Sequence, residues 1–208
     1  MTCAVYQAIR EFKDGSADDL DRALTETMQL FGRRYPGRRY GGYFKRWIFS
    51  ESPRPYNSFG NGAAMRVSAA GFLAESLEEA RALARSSAGV THNHPEGIKG
   101  AVATAEGIFL ARGGASLAEI RSALSAYYDL DFTLDAIRPD YAFDVTCQGT
   151  VPQAIVAFLE SEGFEDAVRN AVSIGGDSDT LAAITGSLAE GFYSVPDQHY
   201  GPGGTAEK

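Results

Sequence analysis

Gly175-Gly176-Asp177-Ser178-Asp179-Thr180 separates two apolar-periodic stretches and decides what kind of fold this chain makes. Before it, Phe164, Ala167, Val168, Ala171, Val172 and Ile174 recur at helical intervals, and after it Leu181, Ile184, Leu188 and Phe192 do the same. That spacing lines apolar side chains along one helical face, so the segment predicts a helix, a sharp junction and a second helix. Two carboxylates and a hydroxyl fall where the second helix begins, and there unpaired backbone N–H groups and the positive end of the helix dipole tolerate packed negative charge. Asp and Thr oxygens are hard ligands of the kind Mg²⁺ takes, and glycine lets the backbone approach an ion closely. Asp177, Asp179 and Thr180 are therefore candidate ligands forming half of a magnesium site. An Asp N-cap followed by a polar first turn accounts for the same residues.

Outward from this junction, helical periodicity recurs along most of the chain and strict alternation is scarce, which predicts a mainly α fold. Helices are expected over about 3–13 and 18–32. Ser76-Leu77-Glu78-Glu79 and Ser116-Leu117-Ala118-Glu119 have the form of capping boxes, opening helices over about 77–86 and 117–127. Ile98, Ala101, Val102, Ala105, Ile108 and Phe109 form one stripe that Gly113-Gly114 would end. A further stripe, Val151, Ala154, Ile155, Phe158 and Leu159, places Pro152 near a first turn, where its missing N–H costs little. Residues 33–62 are rich in glycine and aromatics without a sustained period and read as an irregular, functional segment. Gln198 to Lys208, with Gly201-Pro202-Gly203-Gly204, reads as a flexible tail.

The chain has 208 residues, 44% of them hydrophobic, which suits a single domain over residues 1–197 with one substantial core. A net charge of -8 argues against nucleic acid as a partner, because binding a phosphate backbone needs clustered Lys and Arg to displace counterions. The densest basic cluster, Arg33-Arg34 and Arg38-Arg39 beside Tyr35 and Tyr40, either faces a phosphorylated ligand or is a solvated loop. Cys3 and Cys147 lack metal-site spacing, no leader pattern opens the chain, and no run approaches the ~20 apolar residues that cross a bilayer. The expectation is a protein of the cytoplasm with no membrane partner.

Three smaller constellations accompany the acidic junction. Gly60-Asn61-Gly62 ahead of Ala63-Ala64-Met65-Arg66 reads as a glycine turn opening a helix, which would aim free amides at an anion, or as an ordinary helix-entry loop. Tyr40-Gly41-Gly42 offers a second set of amides, and the two turns together could hold a diphosphate. In Thr91-His92-Asn93-His94-Pro95, the proline biases His94 toward extended geometry, so His92 and His94 would share a face. Too few further His or Cys residues exist to complete a zinc site, so hydrogen bonding to a ligand, or capping a helix that begins near Glu96, is preferred.

Taken in order, Ser58-Phe59-Gly60-Asn61-Gly62-Ala63-Ala64-Met65-Arg66, Thr91 to Pro95, Cys147-Gln148-Gly149-Thr150-Val151-Pro152 and Gly175 to Thr180 resemble the ADP-ribosylglycohydrolase family, of the dinitrogenase reductase-activating glycohydrolase type, over roughly residues 1–196. The resemblance implies an all-α, orthogonal multi-helix fold, a cleft for two Mg²⁺ ions, and removal of ADP-ribose from a modified protein side chain or small molecule. By position it makes Asp177, Asp179 and Thr180 metal ligands, with Asp177 and Asp179 catalytic. It assigns Gly41, Gly42, Ser58, Phe59, Gly60, Asn61 and Gly62 to the diphosphate and distal ribose, and lays His92 along the ligand groove. The ions would place sugar and water for hydrolysis at the anomeric carbon of an N- or O-glycosidic bond.

Family members carry an acidic Gly-Asp segment and a Thr-Asp-Asp-Thr motif ahead of a stretch like Met1-Thr2-Cys3-Ala4-Val5, so the resemblance implies an N-terminally truncated member with one incomplete Mg²⁺ site. Two carboxylates and a hydroxyl would leave water in most positions around an octahedral ion. Asp177 and Asp179 at ~5 Å would repel by roughly 3 kcal/mol at an effective dielectric of about 20, which favours partial protonation or a looser loop. Apolar surface left uncovered would be open to self-association. Two functions fit these expectations: a magnesium-dependent ADP-ribosyl hydrolase, or a catalytically impaired ADP-ribose-binding pseudoenzyme or truncated fragment.

Overall fold

The computed structural model describes residues 1–196, all helix and connecting loop apart from an isolated antiparallel bridge between Gly60 and Thr146. The expected tail over 198–208 lies outside the described residues. In chain order the helices are α1 (Thr2–Phe12), α2 (Ala17–Arg34), α3 (Gly42–Ile48), α4 (Gly62–Met65), α5 (Ser68–Leu73), α6 (Leu77–Gly89), α7 (Pro95–Arg112), α8 (Leu117–Leu124), α9 (Leu134–Ile137), α10 (Cys147–Leu159), α11 (Phe164–Ser173) and α12 (Ser178–Tyr193).

Helix α7 is the axle of the core, packed by α4, α5, α6, α8, α10 and α12. Sequence predicts one apolar stripe here, whereas every residue from Gly100 to Ile108 is buried. A helix enclosed on all sides needs small residues so that neighbours can close on it, and Ala101, Ala103, Ala105 and Gly107 supply them. A Cβ at Gly107 would sit 2.6 Å from Leu188 Cδ2 of α12, so glycine sets that approach. The one carboxylate in this run, Glu106, is compensated: Arg81 Nε donates to it at 2.8 Å and the Tyr127 hydroxyl at 2.5 Å.

Several boundaries differ from the sequence reading. Residues 33–62 contain α3, whose C-terminal carbonyls are taken by α2: Gln29 Nε2 donates to Trp47 O and Arg33 Nε to Ile48 O, both at 2.9 Å. Helix α8 stops at Leu124 and runs into turns rather than reaching 127. Ser116 and Glu119 form a full capping box, but at Ser76 the box is half-made, because Glu79 accepts from Glu75 N at 2.6 Å instead. Pro152 is not in a first turn. Thr146 caps α10, accepting from Gly149 N at 3.1 Å, which places Pro152 in the second turn, where it removes an intrahelical donor.

Candidate functional site

The acidic junction forms as the sequence predicts, between the end of α11 and the start of α12. Gly175 and Gly176 adopt φ of 78° and 65°, the left-handed region that L side chains avoid. A Cβ at Gly176 would also lie 2.5 Å from Tyr141 Cε1, so this turn accepts glycine on two grounds. The backbone is thereby reversed within a few residues and Asp177 is delivered to the N-cap position of α12.

Asp177 does not cap the helix. No side-chain cap bond forms there, and its Oδ2 instead accepts from Asn61 Nδ2 at 2.7 Å. The N-cap interpretation of this carboxylate therefore fails, and its Oδ2 meets Asn61 of the Gly60 turn. Asp179, the exposed member of the pair, accepts from Thr180 N through Oδ1 at 3.0 Å. Thr180 is buried; its hydroxyl lies 3.4 Å from Met65 Sδ and also hydrogen-bonds toward the Asp177 carboxyl. Burial raises the Asp177 carboxyl above the usual carboxylate range; the bond from Asn61 and one from the Thr180 hydroxyl oppose this, and neighbouring Asp179 adds to it. A cation beside the pair would relieve both burdens.

Asn61 is the hub. It is buried, and its amide nitrogen lies near three acceptors: Asp177 Oδ2, Thr150 Oγ1 at 3.0 Å and Asp144 O at 3.4 Å. The Thr150 hydroxyl in turn donates to Asp144 O at 3.1 Å. The turn carrying Asn61 is itself tied down. Asn61 N donates to Val145 O, Cys147 N to Phe59 O, and Gly60 N to the Ser58 hydroxyl. The amides of Gly60 and Asn61 are thus engaged internally, contrary to the expectation of free amides aimed at an anion, and α4 behind them is a single turn. Burial pushes the Cys147 thiol up to about 12, and the thiol donates to Gly60 O at 3.3 Å, so this cysteine is a structural donor and no nucleophile.

His92 backs the same turn. A Cβ on Gly60 would fall 3.5 Å, and one on Gly62 3.7 Å, from its Nε2. Its Nδ1 lies 2.6 Å from Thr91 Oγ1, which accepts at 2.7 Å from the guanidinium of buried Arg66. Donation from the buried Thr91 hydroxyl to His92 Nδ1 satisfies that hydroxyl's proton and is the arrangement we assign. The imidazole proton then resides on Nε2, facing the glycines. Burial, reinforced by the Arg66 charge, lowers the His92 pKa to about 3, so the ring is a neutral donor. His94 does something else: its Nδ1 accepts from Glu96 N at 3.1 Å and caps α7, as the sequence predicts for one of the pair.

An aromatic row extends the site. Tyr56 tilts on His92 at 5.8 Å between ring centroids, and Tyr43 stacks on Tyr56 at 5.9 Å with 16° between planes. Gly41 and Gly42 are exposed and join the site through Tyr43, the next residue in the chain. Phe59 packs edge-on to His94 at 5.3 Å. Tyr43, Tyr56, Tyr141, Thr150 and Arg66 have roles that sequence reasoning did not assign. The aromatic density of residues 33–62 and the quoted Cys147 to Pro152 motif were the available signals. Among the described residues no group of three or more His, Cys, Asp or Glu side chains gathers to hold a metal ion.

Three comparisons bear on this arrangement. The sequence model of the ADP-ribosylglycohydrolase family matches residues 1–196. The Homo sapiens ADP-ribosylhydrolase ARH3 is 24% identical over 239 residues, covering 86% of this chain and 65% of its own length. A protein of Archaeoglobus fulgidus is 32% identical over 158 residues, covering 66% of this chain and 51% of its own length. This chain thus spans roughly half to two thirds of the curated relatives it matches. A solved ADP-ribosylglycohydrolase-related protein complex shares the all-helical fold, with a TM-score of 0.67 at 23% identity over 95% of this chain and 73% of that chain. With the family's sequence model spanning every described residue, the chain belongs to the ADP-ribosylglycohydrolase family.

Proposed function

We propose that the chain acts as a hydrolase that removes ADP-ribose from a modified protein side chain or small molecule, with Mg²⁺ held at the acidic junction. The observation that supports this most is the Asp177 carboxylate, which forgoes its own helix end to meet Asn61 beside Asp179 and Thr180. A carboxylate that merely capped α12 would have bonded the first-turn amides.

The donor set suits the ion in kind: two carboxylates and a hydroxyl are hard oxygen ligands, with water left to complete an octahedron. Bound there, Mg²⁺ would supply positive charge for orienting sugar hydroxyls and water at the anomeric carbon. The chain's own residues do the rest. Asn61 fixes the orientation of Asp177. His92 offers an uncharged N–H beside the Gly60 turn, and the Tyr56 and Tyr43 rings provide a flat apolar surface for a ligand ring. In the overall reaction, water oxygen bonds to the anomeric carbon as the glycosidic bond breaks, and the side-chain nitrogen or oxygen leaves with a proton.

The decisive measurement is release of free ADP-ribose from ADP-ribosylarginine and ADP-ribosylserine with and without added Mg²⁺, for the chain and for Asp179→Ala. Mg²⁺-dependent release that Asp179→Ala abolishes is expected; no release from either compound overturns the hydrolase reading. One observation favours a second reading, a module that binds ADP-ribose without turnover: no third acidic or imidazole side chain joins the pair among the described residues. Calorimetric binding of ADP-ribose that ignores Mg²⁺, with no hydrolysis, would select it.

A further inference from the structure

The chain is acidic overall, yet residues 27–50 hold six of its 19 Lys and Arg residues and none of its 27 Asp and Glu residues. Five of the six are Arg: Arg33, Arg34, Arg38, Arg39 and Arg46. All six are exposed, and none forms an ion pair among the described residues. Arg33 is anchored, donating to Ile48 O and Ser50 O, so the segment is folded back on itself with α3 held against α2. The cations are interleaved with exposed apolar side chains. Leu30, Tyr35, Tyr43 and Phe49 are four of the ten large exposed hydrophobics among the described residues. Arg34 and Arg38 flank the Tyr35 ring at 5.6 and 5.9 Å, and Arg46 covers Tyr43 at 4.7 Å.

We propose that this Arg- and Tyr-rich surface docks an acidic segment of the polypeptide that carries the modification, leading its modified side chain along Tyr43 and Tyr56 to His92 and the Gly60 turn. The patch is continuous with the candidate site, because Tyr43 stacks on Tyr56 and Tyr56 packs on His92. Its composition fits a protein partner. Arg and Tyr anchor protein interfaces, their planar groups give large contact area for little lost freedom, and Lys is scarce here as it is in such interfaces. Unpaired cations attract carboxylates over several ångströms and fix the register of an extended acidic chain. A nucleic-acid polymer fits less well, since the acidic remainder of the chain would repel its phosphates beyond this short segment. This inference rests on the hydrolase reading for its purpose, although its first test does not.

That test uses the full chain and unmodified probes: a fluorescein-labelled peptide of alternating Glu and Gly, its Lys counterpart, a single-stranded RNA of similar length, and phosphatidylserine vesicles. Binding is followed by anisotropy for the peptides and RNA and by co-sedimentation for vesicles. The Glu peptide should bind, lose affinity as salt rises, and weaken about tenfold in Arg34→Glu/Arg38→Glu/Arg46→Glu. A matched reversal elsewhere, Arg10→Glu/Arg22→Glu/Arg85→Glu, should leave it bound. Unchanged melting and circular dichroism establish that the triple variant is folded. No binding of the Glu peptide, equal loss in both triple variants, or tighter capture of RNA or vesicles through the same arginines overturns the proposal. If free ADP-ribosylarginine is hydrolysed, Arg34→Glu/Arg38→Glu, which leaves Arg46 on the Tyr43 ring, should keep its turnover on that small substrate and show a raised KM on an acidic ADP-ribosylated peptide. Failure of hydrolysis with the peptide still captured defeats the hydrolase reading and leaves the docking surface standing.

Discussion

The Asn61 side chain donates to the Asp177 carboxylate at 2.7 Å, tying a loop turn to the start of a helix 116 residues later in the chain. Asn61 is buried and Asp177 is half-buried, so water can replace part, but not all, of what the bond provides. Hydrogen bonds to charged groups contribute about 1.5–3 kcal/mol, and partial exposure moves this one toward about 1 kcal/mol. A double-mutant cycle of Asn61→Ala and Asp177→Ala, read by urea denaturation, should return a coupling of about that size. Additive losses from the two substitutions would show that the contact contributes nothing to stability.

Gly175 and Gly176 separate two causes at adjacent positions. Both have positive φ, but a Cβ at Gly175 meets nothing within 4 Å, whereas one at Gly176 strikes the Tyr141 ring. Gly175→Ala should therefore lose about 1 kcal/mol from backbone strain alone, and Gly176→Ala about 1–3 kcal/mol more. Thermal denaturation orders the two. Equal losses would mean that Tyr141 moves aside freely.

The fold was legible where periodicity is carried by large residues. Ile184 and Leu188 announce α12, and Phe164, Val168 and Ile174 announce α11, because each helix buries one face. Helix α3 was not legible: seven residues beginning at Gly42 give less than two full turns, too short for a 3.6-residue period to emerge, and it is held by α2 rather than by its own propensity. Helix α7 was legible as a helix but not as the axle, since alanine and glycine register weakly on hydropathy while permitting close packing on every side. At the site, the acidic residues of the junction could be nominated because carboxylates are chemically conspicuous. Thr150, Tyr141 and Tyr56 could not, because their roles depend on long-range pairing, such as Asn61 with Thr150, that no local pattern encodes.

Thr91 carries a proton assignment that can be read directly. Arg66 donates to its oxygen, and the assigned arrangement gives its buried hydroxyl proton to His92 Nδ1, which puts the imidazole proton on Nε2. Long-range ¹H–¹⁵N spectra of the His92 ring should show a single Nε2–H tautomer in the wild type and in Thr91→Ser. Thr91→Val removes both the acceptor for Arg66 and the donor for His92; the ring should then populate both tautomers, with stability reduced by about 1–3 kcal/mol. An Nδ1–H tautomer in the wild type would reverse the direction of this hydrogen bond.

His92 also sets a pH dependence whose sign is fixed by burial. In the folded chain its pKa is pushed down to about 3, by burial first and then by the Arg66 charge; unfolded, it returns to about 6.5. Between those values the unfolded chain binds a proton that the folded chain refuses. The neutral ring's contribution is therefore fully present above about pH 6.5 and is lost as pH falls toward 3, by up to about 1.4 kcal/mol per pH unit. The groups facing the ring are the Arg66 guanidinium, the Thr91 hydroxyl and the Tyr56 ring, and none of them titrates in this window. Carboxylates do titrate there, and raised Asp177 acts in the opposite direction, but they are common to the wild type and to His92→Gln. Subtracting the two urea-unfolding free energies at each pH isolates the histidine. The wild type should lose stability relative to His92→Gln steadily from pH 6.5 to 4.5, whereas a flat difference would place the ring in contact with water, with the Arg66 to Thr91 chain failing to hold it.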